Sequence, residues 1–376
     1  MSLLDEAVGW RHGVVADLGV IPVTMADLPL ANRVATLTPV TGDSSAGGVS
    51  TDPDAARCAA IAEAVERYVA VVCSLPPASA QRRLPYPADG PMTDVYSVVD
   101  GEAWAAPVSL ITLDPDRSTV STSSGLAADG SPLRALLRAV QELVERDALM
   151  TTWLHGVAAR QVPLPDALAD AVRVRAGDAV CFDLTPAYSP HVVAAVAGNL
   201  PQRGRPRLSL GLACRARWDD AVDKAYAEWA QGVIFAGMYR ARYPGLQLAP
   251  DEVTDFDRHA AYYTLHPDRW AALPLWGGPV VERPPDAEVV GGAADELRHL
   301  AVTLAANGVD TYYRDLTTVD AAAVGLRVVR ALAPDLVPIH GDHRRPHLGG
   351  TAPDLARRYP WATSTVFPNP APHPLG

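Results

Sequence analysis

Residues Asp129–Met150 read DGSPLRALLRAVQELVERDALM, and this stretch decides how the rest of the sequence is interpreted. Ser131 is a favourable N-cap, and Pro132 follows at the first helical position, where its missing N–H costs no hydrogen bond. Leucine and alanine, both strong helix formers, fill the body of the stretch. Glu142 and Glu145 stand three residues apart and are therefore neighbours on one helix face. The sequence predicts a capped helix that carries a glutamate pair.

The same glutamate spacing recurs in other segments of the chain. An Asp-Pro cap opens DPDAARCAAIAEAVERY (52–68), in which Glu63 and Glu66 are again three residues apart. Downstream, DDAVDKAYAEWAQ (219–231) carries Glu228 in the first glutamate position and Gln231 in the second, without a comparable cap. Carboxylates on adjacent turns destabilise an isolated helix by roughly 0.2–0.5 kcal/mol per pair, so their recurrence in phase favours a shared role.

Paired carboxylates without nearby thiols are the hard oxygen ligands that Mg²⁺ prefers, and protein Mg²⁺ sites combine such ligands with substrate phosphates. A single Glu-x-x-Glu-Arg pair is more often a solvated helix face, so the hypothesis depends on the repetition. The pattern indicates a nucleotide site with several Mg²⁺ ions. Its predicted metal ligands are Glu63, Glu66, Glu142 and Glu145, with Glu228 as a weaker candidate.

Three segments resemble motifs of the YcaO family. The central motif is SSGLAADGSPLRALLRAVQELVERDALM (123–150), the first glutamate motif is AARCAAIAEAVERY (55–68), and the proline-rich tail of azoline-forming members is NPAPHPLG (369–376). The resemblance implies an α/β (α+β) protein of repeated sheet-and-helix subdomains, and a homodimer. It implies one catalytic domain over residues 37–376, with the character of residues 1–36 left open.

Members of this family use ATP to activate a backbone amide in a ribosomally made peptide. A nucleophile attacks the carbonyl, the oxyanion is phosphorylated, and phosphate leaves. The resemblance therefore implies ATP and Mg²⁺ as cofactors and cyclodehydration of Cys, Ser or Thr in a precursor peptide to thiazoline or oxazoline. The chain either works with a separate leader-binding protein or acts alone. Amidine or thioamide formation is the alternative within the family, and a peptide-binding scaffold with a degenerate nucleotide site is the alternative outside it.

Departures from the family pattern concern the nucleotide. Val49 stands where many members have lysine, Ala59 where many have serine, and Arg134 where many have glutamate. Arg134 is a candidate replacement for the missing lysine, and Ser124, in the turn before the central helix, is a second candidate phosphate contact. Since the family has a late arginine at its nucleotide, the resemblance makes Arg344 a further candidate.

The tail carries prolines at alternate positions, Pro370, Pro372 and Pro374, which favour an extended polyproline II conformation. A stiff segment enters a cavity at low ordering cost. In azoline-forming relatives the equivalent tail points into the active site. The resemblance therefore makes the Gly376 carboxylate a candidate base for the attacking nucleophile, and His373 a second one. The alternative is a disordered chain end.

Apolar runs elsewhere predict strands, and the polar stretch Val40–Thr51 predicts a loop before the first helix. The predicted strands are Val95–Val99, Val108–Thr112, Val120–Ser123, Ala179–Thr185, His191–Gly198 and Leu208–Ala213. Residues 243–288, rich in proline, tryptophan and charge, are interpreted as an insertion or lid over the peptide channel. His340, His343 and His347 lack the helical context and the glutamate of an H-E-x-x-H motif, so we do not predict a metal site there.

Composition excludes several classes of protein. A net charge of −11 argues against nucleic acid as a partner. Lys224 is the only lysine, which rules out a Walker-type phosphate loop. The cysteines lack the C-x-x-C spacing of a zinc site, and Cys58 and Cys181, in apolar contexts, are predicted core thiols. With no signal-peptide pattern and no apolar run of transmembrane length, we expect a cytoplasmic protein without a membrane span.

Overall fold

The computed structural model describes residues 3–11, 13–21, 28–37, 45–87, 90–113, 122–289 and 291–376. The chain forms two compact units, each assembled from separate stretches of sequence. The first unit comprises Met1–Pro22, Leu30–Leu143 and Val289–Asp335, and the second comprises Val23–Pro29, Val144–Glu288 and Leu336–Gly376. In the part of the chain that the structure describes, no helix is long and apolar enough to cross a membrane.

Helices and antiparallel strands are mixed along the chain, as the predicted α/β (α+β) class requires. The strands are β1 (Val15–Ile21), β2 (Ala31–Leu37), β3 (Ser45–Ser50), β4 (Met92–Ser97), β5 (Ala103–Pro107), β6 (Leu126–Asp129), β7 (Arg160–Val162), β8 (Asp178–Asp183), β9 (Val192–Asn199), β10 (Leu208–Arg215), β11 (Tyr312–Asp315) and β12 (Arg327–Leu332). The helices are α1 (Pro53–Val72), α2 (Val108–Ile111), α3 (Pro132–Leu154), α4 (Asp166–Arg173), α5 (Trp218–Arg242), α6 (Phe256–Leu265), α7 (Pro267–Trp270), α8 (Ala293–Ala306), α9 (Val319–Ala323) and α10 (Leu355–Arg358). Segments of 3₁₀ helix cover Leu3–Ala7, Pro250–Glu252 and Pro274–Gly277.

The described strands of the first unit form two antiparallel sheets. One has the order β1-β2-β3, and the other has the order β5-β4-β11-β12-β6. The described part of the Gly/Ser stretch expected as a loop is the strand β3, which pairs with β2 through Asn32 and Val49. The loop prediction was wrong there because β2 supplies hydrogen-bonding partners that composition alone does not reveal. Residues 40–44 of that stretch lie outside the described residues.

Helix α1 packs closely on β3 at Gly48. A Cβ atom at Gly48 would overlap the carbonyl oxygen of Ala56 and would lie 2.6 Å from the backbone nitrogen of Ala60. Only glycine lets the helix backbone approach the strand this closely. The apolar stripe of α1 is buried by this contact, and its buried residues are Ala56, Ala60, Ile61, Ala64, Val65, Val69 and Ala70.

The second unit repeats this helix-on-glycine arrangement. Its sheet has the order β10-β9-β8-β7, and a Cβ at Gly211 in β10 would overlap the backbone of Ala225 and Trp229 in α5. Ala225 and Trp229 contact Gly211 as Ala56 and Ala60 contact Gly48. Glu63 is the third residue after Ala60, and the third residue after Trp229 is Gly232. The alignment that put Glu228 in phase with Glu63 is therefore one helical turn out of register.

Helix α3 begins at Pro132 as predicted and continues to Leu154. The boundary between the two units falls within it, after Leu143. Among its residues in the first unit, Ala135, Leu137, Ala139 and Val140 are buried, at the spacing of an apolar helix stripe.

Short apolar runs were the least dependable signals. Val108–Thr112 was predicted as a strand, but Val108–Ile111 is a single helical turn that follows Pro107. In Val120–Ser123, residues 120 and 121 lie outside the described residues and 122–123 are not strand. Cys181 is a buried thiol as predicted, whereas Cys58 is exposed. An apolar neighbourhood in sequence does not tell which face of a helix a residue occupies.

Residues 243–288 contain α6 and α7. Their aromatic side chains pack on one another: Tyr263 contacts Trp270, and Trp270 contacts Trp276, with ring centroids 5.4 and 5.3 Å apart. The indole N–H of Trp276 donates to the carbonyl of Trp270 (2.7 Å). Packing within the second unit thus accounts for both tryptophans, and the lid role stays a prediction.

Candidate functional site

Three predicted glutamates come together in the first unit. Burial raises the pKa of Glu66 well above its usual value, and the negative charges of Glu142 and Glu63 raise it further. Helices α1 and α3 therefore present their glutamates to one another, because charges that shift a pKa in this way lie close by. The structure thus joins the two glutamate motifs that the sequence only predicted to be related.

Backbone groups of neighbouring strands hold two of these carboxylates. The N–H of Gly47 in β3 donates to Oε2 of Glu63 (3.0 Å), and Arg67, one turn along α1, forms an ion pair with the same carboxylate. The backbone of Ala128 in β6 hydrogen-bonds to Glu66 and slightly offsets the rise of its pKa. Both side chains are only partly buried. Hydrogen bonds from the neighbouring strands therefore hold both glutamates in place.

Arg330, in β12, lies at the same cluster and was missed by the sequence reasoning. Its side chain is buried, and this burial lowers the pKa of its guanidinium to about 10, while the charges of Glu142 and Glu66 favour the cation. Its Nε and Nη1 atoms have no hydrogen-bond partner among the described residues. The one available signal was an arginine placed between apolar residues in the strand RVVRAL.

This arrangement fits a nucleotide bound with Mg²⁺. The carboxylates supply the hard oxygen atoms that Mg²⁺ requires. Arg330 supplies N–H groups for a phosphate, and in the described part of the chain these buried groups have no acceptor. Mutual repulsion between Glu63, Glu66 and Glu142 would also be relieved by a bound cation.

Glu145 belongs to the second unit, one turn after Glu142 on α3. Its Oε2 accepts a hydrogen bond from the backbone N–H of Cys214 (3.1 Å), near the end of β10, and Arg146 lies 3.9 Å from its other oxygen. Its side chain is buried. A buried carboxylate on a helix face that already carries Glu142 is consistent with the predicted ligand role.

Asp147, also missed, is a buried carboxylate with a different character. Arg358 binds it through Nε and Nη2, Tyr188 donates its hydroxyl (2.6 Å), and the backbone N–H of Val337 donates a further bond (2.7 Å). Because these partners belong to the second unit and already use both of its oxygens, Asp147 is a structural residue.

Other predicted site residues lie in contacts of their own. Arg134 is exposed and pairs with Asp129 (2.9 Å), and Glu228 pairs with Lys224 (3.1 Å). Ser124 is buried and receives the hydroxyl hydrogen of Thr122 (3.0 Å). Arg344, also exposed, binds the carboxylate of Asp342 with two nitrogen atoms (2.9 and 2.7 Å). These local contacts do not decide whether the four residues bind ligands, so their roles stay predictions.

The proline-rich tail is bound along its length within the second unit. Four successive carbonyls accept side-chain hydrogen bonds, in the pairs His343–Pro370 (3.0 Å), Trp153–Ala371 (2.8 Å), Tyr263–Pro372 (2.7 Å) and His259–His373 (2.9 Å). His373 is fully buried, and burial lowers its pKa well below the usual value. Gly376 lies against α6, where a Cβ on it would overlap Ala260. The described tail is therefore a packed segment with its last residue exposed.

Comparisons with known proteins concern the family and the fold of the chain. Residues 73–337 match the family model of the YcaO cyclodehydratases, which is described as ATP- and Mg²⁺-binding. The matched range begins after Glu63 and Glu66 and ends before the tail. No curated protein matches the sequence.

Solved structures with a similar fold include a heterocyclase in complex with substrate and cofactor (TM-score 0.71, 18% identity, 94% of this chain and 55% of the other). A second is YcaO from Methanopyrus kandleri bound with AMPPCP and Mg²⁺ (TM-score 0.68, 18% identity, 92% and 88%). A third is the E. coli microcin synthetase McbBCD complex (TM-score 0.63, 15% identity, 94% and 98%). The chain spans about half the length of the heterocyclase, and at these identities the likeness concerns the fold.

Proposed function

Because the chain belongs to the YcaO family, we propose that it uses ATP and Mg²⁺ to activate backbone amides of a ribosomally synthesised precursor peptide. The reaction best supported is cyclodehydration of Cys, Ser or Thr to thiazoline or oxazoline. The observation that carries the proposal is the cluster of Glu63, Glu66 and Glu142, with the buried Arg330 beside Glu66 and Glu142.

Each residue of the cluster has a distinct role in the proposal. The three carboxylates hold Mg²⁺ and Arg330 holds phosphate, while Glu145 stays a predicted further ligand. ATP, when bound, supplies the phosphoryl group that turns an amide oxygen into a leaving group. Arg330 stays protonated at neutral pH, because its pKa of about 10 is still well above 7. Ser124, Arg134, Arg344 and Glu228 are secondary candidates.

A base is needed to take the proton of the attacking nucleophile. We assign this role to the carboxylate of Gly376, whose residue is exposed at the end of the tail. His373, the second predicted base, is fully buried and hydrogen-bonded to the carbonyl of His340, which keeps it from contact with a substrate. Its burial argues against a direct catalytic role.

The peptide substrate is inferred from the family and from two similar structures. The heterocyclase was solved with its substrate, and the microcin synthetase complex was solved with pro-MccB17 bound. By analogy, a separate protein that presents the precursor peptide is an expected partner, and homodimerisation remains a prediction. Amidine or thioamide formation at the same site is the alternative reaction, and it would use the same nucleotide cluster.

ATP binding by calorimetry, followed by mass spectrometry of the peptide encoded beside the gene, tests the proposal. We expect Glu63→Gln and Glu142→Gln each to abolish turnover while the fold persists, because an isosteric amide removes charge and little packing. The loss of one water per modified residue indicates cyclodehydration or amidine formation, and exchange of oxygen for sulfur indicates thioamide formation.

Glu102→Gln is the matched control, because Glu102 is an exposed glutamate of the same unit that pairs with Arg82 (2.7 Å). It should leave ATP binding and turnover unchanged. If wild-type protein releases no heat with ATP and Mg²⁺, with or without peptide, the chain is a binding scaffold and the enzyme proposal fails.

A further inference from the structure

Three buried histidines meet in the second unit, far apart in sequence. His259 lies on α6, His340 lies in the segment after β12, and His373 lies in the tail. Their exposed fractions are 0%, 7% and 0%. Each offers one ring nitrogen, and these nitrogens all lie within 4.8 Å of one another. The sequence around His340 did not predict this histidine cluster, because His259 and His373 lie far from His340 in the sequence.

Hydrogen bonds fix which nitrogen of two of these rings carries the proton. Nδ1 of His259 lies 2.9 Å from the carbonyl of His373, and Nε2 of His373 lies 2.8 Å from the carbonyl of His340. A carbonyl only accepts, so each of these nitrogens must donate. The other nitrogen of each neutral ring therefore carries a lone pair.

Nε2 of His259, Nδ1 of His373 and Nδ1 of His340 are buried and have no hydrogen-bond partner among the described residues. Burial lowers the pKa of His259 and of His340, because the charged form of a ring is disfavoured away from water. Neutral imidazoles with one nitrogen bonded to a carbonyl are the usual state of metal-bound histidines.

We propose that His259, His340 and His373 bind one divalent transition metal ion of the Zn²⁺ type. Imidazole ligands suit such ions, whereas Mg²⁺ prefers oxygen, so this site is distinct in chemistry from the glutamate cluster. Nitrogens around a tetrahedral ion lie about 3.3 Å apart, given Zn–N bonds near 2.0–2.1 Å. The rings of His259 and His373 are stacked, with centroids 3.7 Å apart and an interplanar angle of 6°, so these two rings must turn before their lone pairs can meet at one ion.

A fourth histidine stands beside the three. Nε2 of His343 donates to the carbonyl of Pro370 (3.0 Å), and its buried Nδ1 has no partner among the described residues. Its ring lies 6.2 Å from that of His259 and 6.4 Å from that of His340. The fourth ligand of a tetrahedral ion would therefore be His343 or a water molecule. The bound ion would fasten the tail to α6.

Cobalt titration of the full chain, purified without a polyhistidine tag and stripped with chelator, tests this proposal. Tetrahedral Co²⁺ absorbs visible light, so we expect one Co²⁺ per chain with strong visible bands, displaced by one equivalent of Zn²⁺. Excess Mg²⁺ should not displace it. In His340→Gln and His259→Gln the Co²⁺ affinity should fall at least about 100-fold, the upper end for loss of an outer-shell partner.

His299→Gln, on α8 of the first unit, is the control and should bind Co²⁺ as the wild type does. Circular dichroism shows whether each variant is folded. The wild-type titration requires no variant, so the absence of stoichiometric tetrahedral Co²⁺ binding overturns the proposal outright. Visible bands of equal strength in wild type and in a folded His340→Gln protein also overturn it, because the ion would then be bound elsewhere.

Discussion

Arg330 shows how burial changes what a single residue can do. An exposed arginine such as Arg134 exchanges its hydrogen bonds with water, and its ion pair with Asp129 contributes little. Arg330 instead has a dry environment beside Glu66 and Glu142, and two of its nitrogens have no protein acceptor in the described residues. An anionic ligand that reaches Arg330 therefore gains a charged hydrogen bond without competition from water.

The two arginines give a direct comparison. We expect Arg330→Gln to weaken ATP binding by about 1.5–3 kcal/mol, the range for hydrogen bonds to charged groups. Arg134→Ala should change it by less than about 0.5 kcal/mol, as for other exposed residues. Calorimetry with ATP and Mg²⁺ measures both. The opposite ranking would mean that Arg134 replaces the missing lysine as a phosphate contact.

The glutamates could be predicted because their spacing recurs in the sequence, and such a repeat can be seen without a structure. Arg330 belongs to no repeat, and an arginine between apolar strand residues does not reveal which side chains it contacts. Cys58 gives the opposite error. Its apolar neighbours in sequence suggested that it is buried, but it lies on an exposed face of its helix. Single positions are predictable from sequence only where a periodic pattern fixes the face on which they lie.

At the scale of elements, a helix crossing a strand at a glycine occurs in both units. Gly48 brings α1 onto β3, and Gly211 brings α5 onto β10. In the first unit the crossing has a functional consequence. The neighbouring Gly47 N–H reaches Glu63, so the distance between helix and strand also sets the position of a predicted metal ligand.

Gly48→Ala should destabilise the protein by about 1–3 kcal/mol, the usual cost of overpacking, because its Cβ would meet rigid backbone. Gly19→Ala is the matched control in the same sheet, where the nearest atom to a Cβ is 3.7 Å away. Alanine there should shift stability by less than about 1 kcal/mol. Urea unfolding measures the stability of both variants. Equal losses of stability would show that close packing at Gly48 is unimportant.

Helices with caps and long apolar stripes could be predicted from sequence, as α1 and α3 were. The strand β3 could not, because its glycines and serines are typical of loops and its stability comes from pairing with β2. The helical turn α2 was misread because a four-residue apolar run carries no period. Tertiary partners decide the structure of such short segments.

At the scale of the whole molecule, the tail connects the end of the chain to the interior of the second unit. Leu375 is buried, and the carbonyls from Pro370 to His373 are all bonded. Gly376 lies against Ala260 with no room for a side chain. A residue added after Gly376 would convert its carboxylate to an amide and move the terminal charge away from this position.

Appending a short Gly-Ser segment after Gly376 should reduce peptide modification at least about 100-fold, the low end for acid–base catalysis, while ATP binding persists. Deleting Pro372–Gly376 should do the same and should also lower the melting temperature, because it removes buried His373 and Leu375. Mass spectrometry of the peptide measures modification, with an extension at the N-terminus as control. Modification at the untagged rate by the C-terminally extended protein would exclude a catalytic role for the tail.

Because the two units alternate along the sequence, truncated fragments of the chain do not correspond to single units. The central strands of the larger sheet in the first unit, β11 and β12, are encoded after most of the second unit and lie between β4 and β6. A fragment that stops before residue 312 would leave β4 and β6 with open edges, which invite aggregation. Exchange of parts with relatives by simple crossover would meet the same obstacle, since no single cut separates one unit from the other.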